Sequence, residues 1–141
     1  MAKITAQLTG STTVKISDGR HDWGADEPLG VGTDTAPDPY EQLLGSLAAC
    51  TCITLSLYCR HKGIALNGVS VAYEYERVHA DDCDECEEEM TGFIDRIRGK
   101  VEIDADANEA QQKRLREVAV RCPVHKTLAN PIVFSDTVVF G

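Results

Sequence analysis

Positive charge is scarce in this chain. Lys and Arg total 14 against 23 Asp and Glu, a net charge of −9. Nucleic acid and anionic membrane both need a basic footprint, so neither is expected as a partner. No apolar signal core follows Met1-Ala2-Lys3-Ile4, which argues against export and for a cytoplasmic location. A Gly-rich phosphate loop and a serine elbow are both missing, which leaves nucleotide and hydrolase readings without a motif. No repeat, low-complexity tract or linker divides the 141 residues, so a single domain, 1–141, is expected. The apolar run from Leu43 to Tyr58 holds Ser, Thr and Gly and is too short for a convincing membrane span.

Six cysteines are what the chain does have. In a cytoplasmic protein they should be mostly reduced, and they then signify redox chemistry, metal binding or packing rather than a disulfide framework. Two of them stand in unlike settings. Cys50 lies inside an apolar helical run, Leu43-Leu44-Gly45-Ser46-Leu47-Ala48-Ala49-Cys50 and onward to Leu55. A buried helical thiol is most often a small hydrophobe. Cys122 directly precedes a helix-starting proline in Arg121-Cys122-Pro123-Val124-His125. At that position backbone N–H groups point at the sulfur, a setting in which a thiol becomes a nucleophile. If the two sulfurs meet, the pair can attack an oxidant and close to a disulfide.

The pattern of elements is α+β. Ile4, Ala6 and Leu8, then Val14 and Ile16, alternate with polar residues around Gly10-Ser11, which predicts a hairpin. Gly24 to Pro39 reads as a long loop, and a helix is expected from about Tyr40 to His61. At 100° per residue, Leu43, Leu47, Thr54 and Leu57 share the face of Cys50. Thr54 is one turn from Cys50, where its hydroxyl could donate to a thiolate. Gly45, Ala48, Cys52, Leu55 and Cys59 occupy the opposite face, with Cys52 and Cys59 assigned to packing. Both faces are apolar, so the helix should be buried on both, most easily in a dimer. Val69, Val71, Tyr73 and Tyr75 alternate with polar residues, as do Ile97, Val101 and Ile103, giving two strands with one wet face each. Asn108 with Gln111 predicts a capping box, and Leu115, Val118, Ala119 and Cys122 form the buried stripe of that second helix. A short helix starts at Pro123 and ends near Asn130-Pro131, and Ile132 to Phe140 reads as a final strand.

A rival site lies in the acidic loop between the two strands. His79-x3-Cys83-x2-Cys86 has half of a zinc site's spacing, and the alternative is a zinc-binding module through His79, Cys83 and Cys86. A fourth ligand would have to come from His125, Asp82 or a second subunit. The bland reading is a solvated acidic turn with two incidental thiols.

Asp38-Pro39-Tyr40-Glu41-Gln42-Leu43-Leu44 running into Ala48-Ala49-Cys50, followed by Cys122-Pro123-Val124-His125, resembles the OsmC and organic hydroperoxide resistance (Ohr) family over nearly the whole chain. The loop from His79 to Glu87 looks like one branch of it. The resemblance implies an intertwined α+β homodimer, with a long central helix packed between antiparallel sheets and active sites at the subunit interface. It implies a thiol-dependent peroxidase that reduces organic hydroperoxides, with a peroxidatic first cysteine, here Cys50, and a resolving second one, here Cys122. It also implies a dithiol reductant, lipoyl-type in some members, and no cofactor is expected. Two departures stand out. The family's hairpin arginine has no counterpart in Thr9-Gly10-Ser11-Thr12, and Arg20 does not match the motif. The glutamate ten residues before the first cysteine is here Tyr40, with Glu41 next to it. Glu41 is retained as a third catalytic candidate, on the basis that either the helix begins later or Glu41 serves the other subunit's site. The missing arginine also keeps open a non-catalytic dimer whose interface cleft binds an apolar ligand.

Overall fold

Alternation of apolar and polar residues dictates most of the strands. In the computed structural model, which describes all 141 residues, β1 (Thr5–Leu8) and β2 (Val14–Ser17) form the expected hairpin, with Ala6 opposite Ile16. A third strand, β3 (Asp22–Ala25), adds to β2 in antiparallel register with Ile16 opposite Trp23. Its last two residues, Gly24 and Ala25, fall within the stretch that the sequence reads as a long loop. The chain resolves into two compact units, Met1–Gly45 and Ser46–Gly141.

The first unit is tied together by one carboxylate. Asp26 is 1% exposed. It accepts hydrogen bonds from the hydroxyls of Thr12 (2.6 Å), Thr33 (2.5 Å) and Thr35 (2.7 Å) and from the backbone N–H of Glu27 and Thr35. A side chain at Gly32 would collide with Asp26 and with the Glu27 carbonyl, so the loop closes around Asp26 only with glycine there. These donors stabilise the charged carboxylate and hold its pKa far below the usual carboxylate range, with the Thr12 hydroxyl contributing most. The loop between residues 26 and 38 is therefore a pinned structure.

Helix α1 spans Pro39–Lys62, close to the predicted limits. It begins with a reciprocal pair: Glu41 N–H donates to Asp38 Oδ1 (2.8 Å) and Asp38 N–H donates to Glu41 Oε1 (3.0 Å). That is a capping box. At 24 residues and mean hydropathy 1.5, α1 is long and apolar enough to cross a membrane. This corrects the expectation that the run is too short. Its packing nevertheless makes it the core helix of the second unit. Leu55 and Cys59 join Ile64, Leu115 and Ala119 in one cluster.

The buried stripe of α1 is Leu47, Thr51, Leu55 and Cys59. It is rotated from both predicted faces, and burial is one-sided: Ile53 and Leu57 are exposed, as is Leu43. Apolar residues surround this helix, so its pattern could not say which stripe meets the sheet.

That sheet is a single long hairpin of β4 (Ala65–His79) and β5 (Phe93–Asp106). Val69, Val71, Tyr73 and Tyr75 turn inward while Ser70, Ala72 and Glu74 stay wet, as their alternation predicts. Helix α2 (Glu109–Ala119) starts with the predicted Asn108–Gln111 capping box and buries Leu115 and Ala119. Helix α3 (Pro123–Leu128) has Cys122 as its N-cap and proline at its first position. The expected last strand is absent. Residues 132–140 pair with nothing in the chain and leave Val133, Phe134, Val139 and Phe140 exposed. A strand needs a ladder partner, and this chain offers that segment none.

Candidate functional site

Helix α2 has ended at Ala119, and Cys122, the residue before Pro123, is extended (φ −65°, ψ 155°). Its side chain therefore folds over the first turn of α3, and Cys122 Sγ accepts from the His125 N–H at 3.3 Å. The neighbouring amide, Val124 N–H, points to a different sulfur, Cys50 Sγ, at 3.5 Å. The two thiols predicted from sequence to meet thus share one helical turn, each taking one of two consecutive N–H donors. Both are free thiols. Cys122 is fully buried, whereas Cys50 is half-buried at the edge of the packed stripe. The Thr54 hydroxyl lies 4.0 Å from Cys50 Sγ, one turn along as anticipated.

Sequence reasoning missed two residues here. Thr51 is 0% exposed, and its hydroxyl lies 3.7 Å from Cys122 Sγ, 3.0 Å from the Leu47 carbonyl and 3.0 Å from the Tyr73 hydroxyl. Tyr73 reaches it because Gly99 stands directly opposite on β5, and a Cβ there would overlap the tyrosine ring. A polar residue amid the apolar run of α1 and a glycine facing a tyrosine were the available signals. The hydroxyl pair supplies polar partners beside a sulfur otherwise enclosed by the core.

The other candidates sort themselves. Cys59 is buried in the apolar cluster, and burial pushes its thiol pKa up, as suits a packing residue. Because α1 starts at Pro39, the idea of a later helix start for Glu41 falls, and its carboxylate is engaged in the cap. Arg20 lies in the turn between β2 and β3, where its backbone N–H donates to Asp18.

The His79, Cys83 and Cys86 loop is not arranged as a metal cage. Cys83 and Cys86 are joined in a disulfide, His79 Nδ1 accepts from Asp81 N–H, and no group of three or more potential ligands converges. The rival zinc reading finds no free thiolates here, because the two sulfurs are bonded to each other.

An α+β chain built on a long core helix, with antiparallel hairpins and a second cysteine at the mouth of a short helix, defines a recognisable class. The chain belongs to the OsmC-like protein family, whose model matches residues 32–135. It is similar to the crystal structure of an OsmC-like protein from Mycoplasma pneumoniae, with TM-score 0.70 and 25% identity over 92% of this chain and 87% of that one. It also resembles an organic hydroperoxide resistance protein OsmC from Legionella pneumophila (TM-score 0.61, 21% identity, 91% and 88% covered). The organic hydroperoxide resistance protein OhrB of Bacillus subtilis shares the fold as well (TM-score 0.58, 20% identity, 90% and 89% covered). No curated protein sequence matches the chain.

Proposed function

We propose that the protein is a thiol-dependent peroxidase that reduces organic hydroperoxides by a two-cysteine mechanism in the cytoplasm. The supporting observation is the pair of consecutive N–H donors, from Val124 to Cys50 Sγ and from His125 to Cys122 Sγ. Relatives named for organic hydroperoxide resistance suggest the substrate class. In the reaction, Cys50 thiolate attacks the terminal peroxide oxygen, the O–O bond breaks, and the alcohol departs with a proton. Cys50 is left as a sulfenic acid. Cys122 thiolate attacks that sulfur, water leaves, and the Cys50–Cys122 disulfide closes. An external dithiol, of which a lipoyl group is one type, reduces it by exchange. Per turnover one hydroperoxide and one dithiol give one alcohol, one water and one disulfide.

The working form on this reading is a homodimer. Exposed Ile53 and Leu57 on α1, with the exposed apolar segment at residues 132–140, support it as surface that a second copy would cover. Glu41 is assigned a helper role at the partner's site. Mixing the protein with an alkyl hydroperoxide and dithiothreitol tests the main claim. The parent should consume peroxide catalytically and Cys50→Ser should fall to the uncatalysed rate. Cys50→Ser turning over as fast as the parent would overturn the proposal.

A further inference from the structure

The tip of the β4–β5 hairpin carries a second cysteine pair that the peroxidase reading does not use. Cys83 and Cys86 are disulfide-bonded across a turn, with Cα atoms 5.5 Å apart. Their exposures differ: Cys83 is buried at 7%, while Cys86 is half-open to solvent. Arg96, on β5, sends its Nη1 to Cys83 Sγ at 3.9 Å and is held in place by Glu76 through Nε at 2.9 Å. Around the pair, residues 81–89 contribute Asp81, Asp82, Asp84, Glu85, Glu87, Glu88 and Glu89, with no Lys or Arg among them. From Tyr73, which contacts Thr51 beside Cys122, six strand residues lead to His79, roughly 20 Å at the rise of a strand. The tip is therefore remote from Cys50 and Cys122.

We propose that Cys83–Cys86 is a thiol–disulfide exchange site in its own right, serving a thiol carried on a positively charged molecule. The exposures decide which sulfur reacts. An incoming thiolate reaches Cys86 Sγ and forms a mixed disulfide with it. The bond to Cys83 breaks, and its electron pair goes to Cys83 Sγ, where the Arg96 guanidinium receives the charge. A second thiolate, from the same partner or another molecule, attacks the partner's sulfur of the mixed disulfide and releases Cys86. Cys83 and Cys86 take up two protons in all, and the partner leaves as a disulfide. The seven carboxylates repel anionic thiols and concentrate cationic ones, which sets the partner's charge.

The test uses the full chain purified without reductant and lightly oxidised. It is exposed to cysteamine (cationic), 2-mercaptoethanol (neutral) or 3-mercaptopropionate (anionic), acid-quenched, alkylated and read peptide by peptide. Rates are divided by those for the same thiols on bis(2-hydroxyethyl) disulfide, which removes intrinsic thiol reactivity. Cysteamine should then exceed 3-mercaptopropionate by about tenfold at roughly 10 mM salt, shrinking to under about threefold near 0.5 M as screening takes hold. Arg96→Gln should slow all three thiols several-fold, with Arg96→Lys recovering most of the loss. Three results would each overturn the proposal: normalised rates that do not depend on thiol charge, Cys83 and Cys86 remaining as thiols after oxidation, or a chain that retains about one zinc per protomer with both thiols shielded. None of these results bears on Cys50, so the peroxidase reading stands or falls separately.

Discussion

Thr51 and Tyr73 form a hydroxyl pair against the buried sulfur of Cys122, and their coupling can be measured. The Thr51 hydroxyl has one hydrogen and three neighbours: the Leu47 carbonyl at 3.0 Å, Tyr73 hydroxyl at 3.0 Å and Cys122 Sγ at 3.7 Å. The Leu47 carbonyl already serves the helix ladder one turn back, so losing Thr51 does not orphan it. Tyr73 is the partner left without a mate. Valine matches threonine in shape, so Thr51→Val opens little cavity, and its cost is mainly the stranded, half-buried Tyr73 hydroxyl. That is about 1–2 kcal/mol. Tyr73→Phe removes the other hydroxyl while Thr51 keeps Leu47, at about 0.5–1.5 kcal/mol.

The double variant removes both polar groups together and leaves none stranded. Its destabilisation should fall short of the summed singles by about 1 kcal/mol, the signature of a direct pair. Urea unfolding at one fixed protein concentration reads all four corners of the cycle, since self-association would otherwise shift each midpoint. Thermal scans should show the Thr51→Val transition lower by about 3–8 °C. Single variants that add within about 0.3 kcal/mol would refute the pairing, and with it the account of Gly99 as the opening through which Tyr73 reaches the helix.

Glu41→Gln separates capping from chemistry, because glutamine also closes a capping box. The expected result is a thermal midpoint within about 1 °C of the parent and a peroxidase rate reduced about tenfold or more; an unchanged rate would remove Glu41 from the site. For Asp26, the hydroxyl donors hold the folded pKa below the unfolded one. The folded state therefore binds fewer protons, and stability is fully present above the ordinary carboxylate range and lost as pH falls below about 4. Circular dichroism melts from pH 7 to pH 3 should show the parent losing stability faster than Asp26→Asn, and parallel slopes would contradict this.

What the sequence revealed follows the range of the interaction responsible. Asn108 with Gln111, and Cys122 before Pro123, are local devices, complete within four residues, and both are found as read. Alternation on β4 is equally local, and it placed Tyr73 on the inward face. Strand β3 escaped because Asp22-Trp23-Gly24-Ala25 is four residues of weak strand propensity, held by pairing with β2 and by Gln42 Nε2 donating to the Gly24 carbonyl. Residues 132–140 failed in the opposite way: strong strand propensity without a ladder partner in the chain. The rotated stripe of α1 escaped for a third reason. Thr51 is polar, and a periodicity argument discounts the polar residue that sits at the centre of the packed face.

Burial, more than sequence order, argues for the division of labour between the two thiols on the proposed reading. A hydroperoxide must bring its O–O bond into line with the attacking sulfur, which requires open space on one side of that sulfur. Cys50 has it and Cys122, at 0% exposure, does not. Once Cys50 is oxidised, the next attack must come from a group already beside it, and a buried thiol on the same helical turn meets that condition while escaping oxidation itself. The first turn of α3 then serves both steps. The Val124 N–H faces charge on Cys50 before the peroxide is cleaved, and the His125 N–H faces charge on Cys122 before the disulfide closes. Exchanging the roles would place the attacking sulfur where no substrate can reach it, so Cys122→Ser should still cleave one equivalent of peroxide per chain before stalling, whereas Cys50→Ser should cleave none.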